Sequence, residues 1–175
     1  LTEAGKRSLE ATLPQSLRLM PQDKAGVEVW SSPAARAEQT AHAVLQACKS
    51  LDVQVQGDLR LIDALWEQDA NAFMQEVRSC PSDVVVAVGH NPFIEELTLQ
   101  LTGSHIVFST GGAACMQLDW SAEGAHATQA RLLWFAQGPI SQRWKTLVQM
   151  ERTLAGAADN VQARLEAFLQ DPSDV

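Results

Sequence analysis

The sequence predicts an α/β domain, a three-layer α/β/α sandwich whose sheet is mostly parallel with antiparallel strands late in the chain. Three observations carry that prediction. Short apolar runs alternate with amphipathic stretches of helical period along most of the chain. The strongest run, "DVVVAVG" at residues 83–89, lacks in–out alternation, as expected of a strand covered on both faces. Late in the chain "AACMQLDW" and "ARLLWFA" read as strands joined by the turn-rich "SAEGAHATQ".

Each element follows from local chemistry. "LTEAGKRSLEATL" opens with Thr2 as a cap and Glu3 in the first turn, and Leu9 and Leu13 share a face, so a helix begins the chain. "PQDKAG" ends it, and "VEVW" at 27–30 is a short strand. In "SSPAARAEQTAHAVLQAC" Ser32 reads as the N-cap and Pro33 as the first helical residue. Ala37, Ala41, Val44 and Cys48 form that helix's buried stripe. "VQV" at 53–55 is a weak strand, and "GDLRLIDALWEQDA" is irregular before a helix at about 69–79. Asn91 and Pro92 start a helix with Ile94, Leu97 and Leu101 on one face, closed by Gly103. From Ser141 to about Leu169 the pattern is helical, with a break at Gly156. The organisation expected is one domain over residues 1–140 and a helical extension over 141–175.

Composition limits the function classes. A chain of 175 residues with 46% hydrophobic and 19% charged residues is globular and long enough to bury a core. A net charge of −8 argues against DNA, RNA or an anionic membrane as partner, because counterion release needs a basic face. One local pocket on an acidic protein can still be positive, so a phosphate ligand stays open. Cys48, Cys80 and Cys115 are scattered and form no C-x-x-C pair, which suits reduced thiols in a cytoplasm. Nothing approaches about 18 consecutive apolar residues, and no signal peptide opens the chain. No metal-ligand spacing, nucleophile elbow or Walker loop occurs, so neither metal nor cofactor is expected.

In open α/β sheets, ligands bind beyond the carboxyl ends of the strands. Two strand-to-helix junctions place unusual residues there. In "VWSSPAARAEQT", Arg36 lies in the opening turn of its helix, so its guanidinium leans back over the strand end beside free N–H groups. A planar fork of donors in that place suits a phosphoryl group; the alternative is a surface ion pair with Glu38 or a neighbour. In "VVVAVGHNP", Gly89 permits a close turn and His90 stands at the strand tip, able to complement a phosphate or to be a capped structural histidine. Ser32 and Asn91 are first of all caps, and join Arg36 and His90 as phosphate-binding candidates. The Thr110-Gly111-Gly112 backbone is a weaker candidate. His105 and His126 fall in loops, and the five tryptophans, Trp66 included, read as packing residues.

Taken together these junctions resemble a known family. "SSPAARAEQTA" resembles the second motif of the histidine phosphatase (phosphoglycerate mutase-like) superfamily, and "VVAVGHNP" its late histidine motif. "LTEAG" is similar to the opening of that family's first helix. "DALWEQDANAFMQEVRS", "FSTGGAACMQLDW" and "ARLLWFAQGP" look like segments of its bacterial SixA-like branch. The resemblance spans roughly residues 1–140. It implies a phosphoglycerate mutase-like fold and a phosphatase that works through a phosphohistidine enzyme intermediate. The substrate expected is a protein phosphohistidine or a small phosphate ester; a catalytically inactive phosphate-binding or scaffold homologue is the alternative. By motif, Arg36 and His90 would hold the phosphoryl group, with Asp63 or Glu67 as candidate general acid. The family's nucleophile, the histidine of an Arg-His-Gly motif ending the first strand, has no counterpart in this sequence. The expectation is that a segment preceding Leu1, or another chain, supplies that strand and completes the sheet.

Overall fold

In the computed structural model, which describes residues 1–20, 26–120 and 129–137, ten elements follow in order. They are α1 (Glu3–Arg18), β1 (Val27–Ser31), α2 (Ala35–Ser50), β2 (Arg60–Leu61), α3 (Asp63–Glu67), α4 (Ala70–Ser79), β3 (Val84–Val88), α5 (Phe93–Thr102), β4 (Ala113–Asp119) and β5 (Gln129–Ala136). The helical extension expected over 141–175 lies outside the described residues. No helix among the described residues is long and apolar enough to cross a membrane.

Strands β2, β1 and β3 form a parallel sheet in that order, with Val27 opposite Val84 and Ser31 opposite Val88. Side chains of a strand alternate between faces. Val27 and Val29 therefore meet Leu17 and Met20, from α1 and just beyond it, and Ala41, Val44, Ala47 and Cys48 of α2. Trp30 points the other way, into Leu65, Phe73, Phe93, Leu97 and Leu101 of α3, α4 and α5. Helices on both faces of a mainly parallel sheet give the expected three-layer α/β/α arrangement.

Helix α1 runs through Pro14 to Arg18 and ends before "PQDKAG", as expected; the burial of Ser16 and Leu17 outweighs the backbone donor lost at Pro14. Three local expectations need correction. Helix α2 starts at Ala35 with Ala34 as its N-cap, two residues past the expected start at Pro33. Ser32 donates its N–H to Val88 O at 2.9 Å, so it extends β1 instead of capping the helix. At 53–55 only Val55 makes an isolated bridge, to Val27. Pairing passes instead to Arg60 and Leu61 within the stretch expected to be irregular, which also holds α3.

The third correction concerns β3. All five β1 residues are buried, but all five β3 residues are only half-buried. Among the described residues no ladder joins β3 to β4, and β4 pairs only with β5, antiparallel, in a separate sheet. The apolar strand thus has an open edge. The hairpin nevertheless reaches both helical layers: Met116 and Leu118 pack with the Trp30 cluster, and Trp134 Nε1 donates to Leu19 O at 2.9 Å.

One carboxylate lies within this core. Glu28, 8% exposed, accepts from Trp30 Nε1 at 2.8 Å, Arg60 Nη1 at 3.3 Å and Ser82 Oγ at 3.3 Å. Arg60 also covers the Trp30 ring at 4.6 Å and reaches Glu76 at 3.0 Å. The indole N–H, above all, holds the Glu28 carboxyl below its usual range in spite of burial. Glu28→Ala leaves a buried indole donor without its acceptor and should lower stability by about 1.5–3 kcal/mol in urea unfolding at pH 7. A folded pKa that is lowered stabilises above the unfolded value, and the contribution vanishes as pH falls through the folded value. Wild type and variant should therefore converge on acidification; a constant gap down to low pH would contradict this role.

Candidate functional site at the carboxyl edge of the sheet

Backbone pairing at the ends of β1 and β3 builds the site. Ser32 N–H bonds Val88 O, and Ile62 N–H bonds Ser31 O at 2.9 Å, so three segments meet at the carboxyl edge. Ser31 and Ser32 are fully buried. Just after β3, a Cβ on Gly89 would lie 2.9 Å from Ile94 Cδ1 and 3.7 Å from Leu65 Cδ2. The missing side chain lets α3 and α5 close on the strand tip. His90 O then accepts from Ile94 N at 3.1 Å as α5 begins.

His90 is held from two sides. Its Nε2 lies 2.8 Å from Ser32 Oγ, and its Nδ1 lies 3.3 Å from Arg36 Nε. An arginine N–H can only donate, so Nδ1 accepts and the ring proton resides on Nε2, donating to Ser32. A second ring proton would oppose the Arg36 N–H. Burial first, and the Arg36 charge second, accordingly pull the His90 pKa below its ordinary value. The sequence places these two residues 54 positions apart; the parallel register of β1 and β3 brings them together.

Arg36 is exposed on the first turn of α2. The ion pairs among the described residues are Lys6–Glu3, Arg60–Glu28 and Arg60–Glu76, so the alternative pairing of Arg36 with Glu38 is not made. Asn91 is not the cap of α5, a position taken by Pro92 without a side-chain bond. Its amide nitrogen donates to Glu95 Oε1 at 2.8 Å and Phe108 O at 3.0 Å, and Phe108 N also donates to Glu95 Oε1, at 2.8 Å. Asn91 thereby ties the segment before β4 to α5. Asp63 and Glu67 are exposed on α3, and Gly111, with φ +76°, turns the chain into β4. His42 and His105 are exposed, and His126 lies outside the described residues.

One site residue escaped sequence reasoning. Trp66, expected to be a packing residue, is 57% exposed, and its ring stands 6.0 Å from that of His90, nearly perpendicular at 83°. Recognising the short helix was the signal that could have found it. Once Asp63 starts a helical turn, Ile62 and Leu65 face the core and Trp66 must face out.

The arrangement can receive an anion. A dianion at Nδ1 would favour His90 protonation and draw the Arg36 N–H away from the ring. Ring resonances followed by NMR should titrate below about 6.5 in the free chain and at higher pH in saturating sulfate, a dianion throughout this range. Arg36→Ala should raise the free value, since it removes the like charge. A free midpoint at or above the ordinary value would overturn the tautomer and the geometry inferred from it.

No family model matches the chain, and no curated protein matches it. A solved structure does, that of the protein histidine phosphatase SixA complexed with tungstate, at a TM-score of 0.59 and 19% sequence identity. The match covers 79% of this chain and 83% of that one. Mixed α/β architecture, a mainly parallel sheet and helices on both faces are common to both, and the chain thus has the fold of the histidine phosphatase SixA.

Proposed function

We propose that this chain is the larger part of a phosphatase domain of the histidine phosphatase type, in which Arg36 and His90 bind the transferring phosphoryl group. The observation that carries the proposal is the 3.3 Å approach of Arg36 Nε to His90 Nδ1 at the carboxyl edge of a parallel sheet. Arg36 is a donor there, and Nδ1 becomes a second one when a bound dianion draws a proton onto His90; together they suit the equatorial oxygens of a phosphoryl group, whose charge spreads in a loose transition state. Tungstate, bound in the SixA structure, is a tetrahedral oxyanion like phosphate. Ser32 accepts the Nε2 proton of the His90 tautomer that Arg36 imposes, and Asn91 braces the neighbouring loop.

The attacking nitrogen comes, in this reading, from the Arg-His-Gly histidine of a segment N-terminal to Leu1 or of another chain. It forms an N–P bond as the leaving group departs with the P–O or P–N electron pair and takes up a proton; water then hydrolyses the phosphohistidine. Among the described residues β3 and β4 each pair along one edge, which supports a further strand in the sheet. The substrate proposed is a phosphorylated protein, phosphohistidine above all, in a cytoplasm; three free thiols suit that compartment. An imidazole leaving group needs little acid assistance, so an exposed Asp63 or Glu67 on α3 can serve as the acid.

A second reading, an inactive phosphate-binding module, is favoured by the absence of Arg-His-Gly from the sequence. Turnover separates the two. The 175-residue chain should not hydrolyse p-nitrophenyl phosphate, whereas a protein carrying an upstream Arg-His-Gly strand should. In that longer protein, Arg36→Ala and His90→Ala should each lower kcat/KM by about 10²–10³. Full activity in both variants would sink the site, and an inactive longer protein would favour the binding module.

A further inference from the structure

Trp66 is the large aromatic that the fold presents beside the anion pocket. Its helix α3 is firmly seated: Ile62 is 2% exposed, Ala64 6% and Leu65 0%. Leu65 also lies against the Gly89 strand tip. The turn is therefore a rigid mount, yet Trp66 remains 57% exposed, the most exposed tryptophan of those described. Burying such a ring would be favourable, so an exposed one on a fixed mount marks a contact surface. Its ring stands at 83° to the His90 ring, and the two form a corner. His90 offers nitrogen atoms to a phosphoryl group, whereas Trp66 offers only a π face and a single N–H.

We infer that Trp66 is a specificity-determining residue that packs against the leaving group of the phosphoryl donor and selects planar rings, aryl or imidazole, over saturated ones. This rests on the Arg36–His90 pocket binding the phosphoryl group. With that group held at His90, the substituent on phosphorus leaves the pocket beside the indole, and a flat ring can stack there. A Trp face also stabilises positive charge, which an imidazole bears when it is protonated as the P–N bond breaks.

The test compares inorganic phosphate, phenyl phosphate and cyclohexyl phosphate, the last two being similar in size but different in flatness. Affinities are read from the His90 ring resonances of the 175-residue chain. Phenyl phosphate should bind roughly three- to tenfold tighter than cyclohexyl phosphate. Trp66→Ala should bring that ratio near one, the affinities of both esters being read relative to the same variant's inorganic phosphate affinity, and Trp66→Phe should retain most of it. An unfolding midpoint equal to wild type shows that the variants keep their fold. Equal binding of the two esters by wild type, or a ratio surviving Trp66→Ala, overturns the assignment while leaving the pocket intact. If inorganic phosphate fails to move His90, the pocket falls, and this inference with it.

Discussion

The parallel register between β1 and β3 is the constraint on which the site depends. It puts Ser31 opposite Val88 and lets Ser32 N–H extend the ladder by one bond past the last paired residue. That bond fixes the Ser32 hydroxyl under His90 Nε2 and postpones α2 to Ala35, so Arg36 falls in the helix's first turn. A one-residue slip would turn Trp30 out of its core and carry Ser32 away from His90. Because Trp30 is fully buried with seven other buried apolar residues in one layer and Val27 and Val29 fill the other, such a slip is strongly opposed. Core packing thereby sets the geometry of a polar site that contributes little to it.

Glu28 strengthens that register from the opposite end of β1. Its carboxylate binds Trp30 Nε1, so a charged group two residues away orients the very side chain that locks the strand. Arg60 completes the pair from β2 and stacks on the same indole. Buried charges are costly unless paired and hydrogen-bonded, and this one has both kinds of partner. At β3 the opposite condition holds. A run of valines with one edge unpaired among the described residues leaves apolar surface accessible, at about 25 cal/mol per Å² relative to burial. Its open edge also carries backbone groups able to pair with another strand.

Much of this was legible in the sequence, because period and punctuation are local signals. The stripe Ala37, Ala41, Val44 and Cys48 is buried as its spacing requires, and Gly103 closes α5 with φ +68°. The Arg36 and His90 junctions stood out by residue type at strand ends. What failed depended on tertiary contacts. Ser32 has the chemistry of a cap, but its N–H is taken by Val88, a strand partner 56 positions along the chain. Asn91 likewise looks like a cap until Phe108 and Glu95 engage its amide. β2 is too short for periodicity to register, and its two residues pair through a register set by Trp30. Valines 84–86 read as doubly covered, since a sequence shows apolarity but not whether a neighbour exists at each edge.

The contrast between global and local charge explains how such a site can operate in this chain. With a net charge of −8 the protein repels anions at long range, and screening confines that repulsion to about 8–10 Å at ordinary ionic strength. Inside the pocket Arg36 is the fixed charge, and His90 is neutral while Arg36 occupies Nδ1. The resting pocket therefore avoids two adjacent cations, an arrangement that would strain the strand tip. An arriving dianion changes the balance. It attracts the Arg36 fork, frees Nδ1 for a proton and converts a neutral ring into a second positive group. In the proposed site, positive charge would thus be assembled by the ligand itself. Such a pocket favours dianions over monoanions more steeply than a fixed pair of cations would, because only the stronger field makes protonation of His90 favourable.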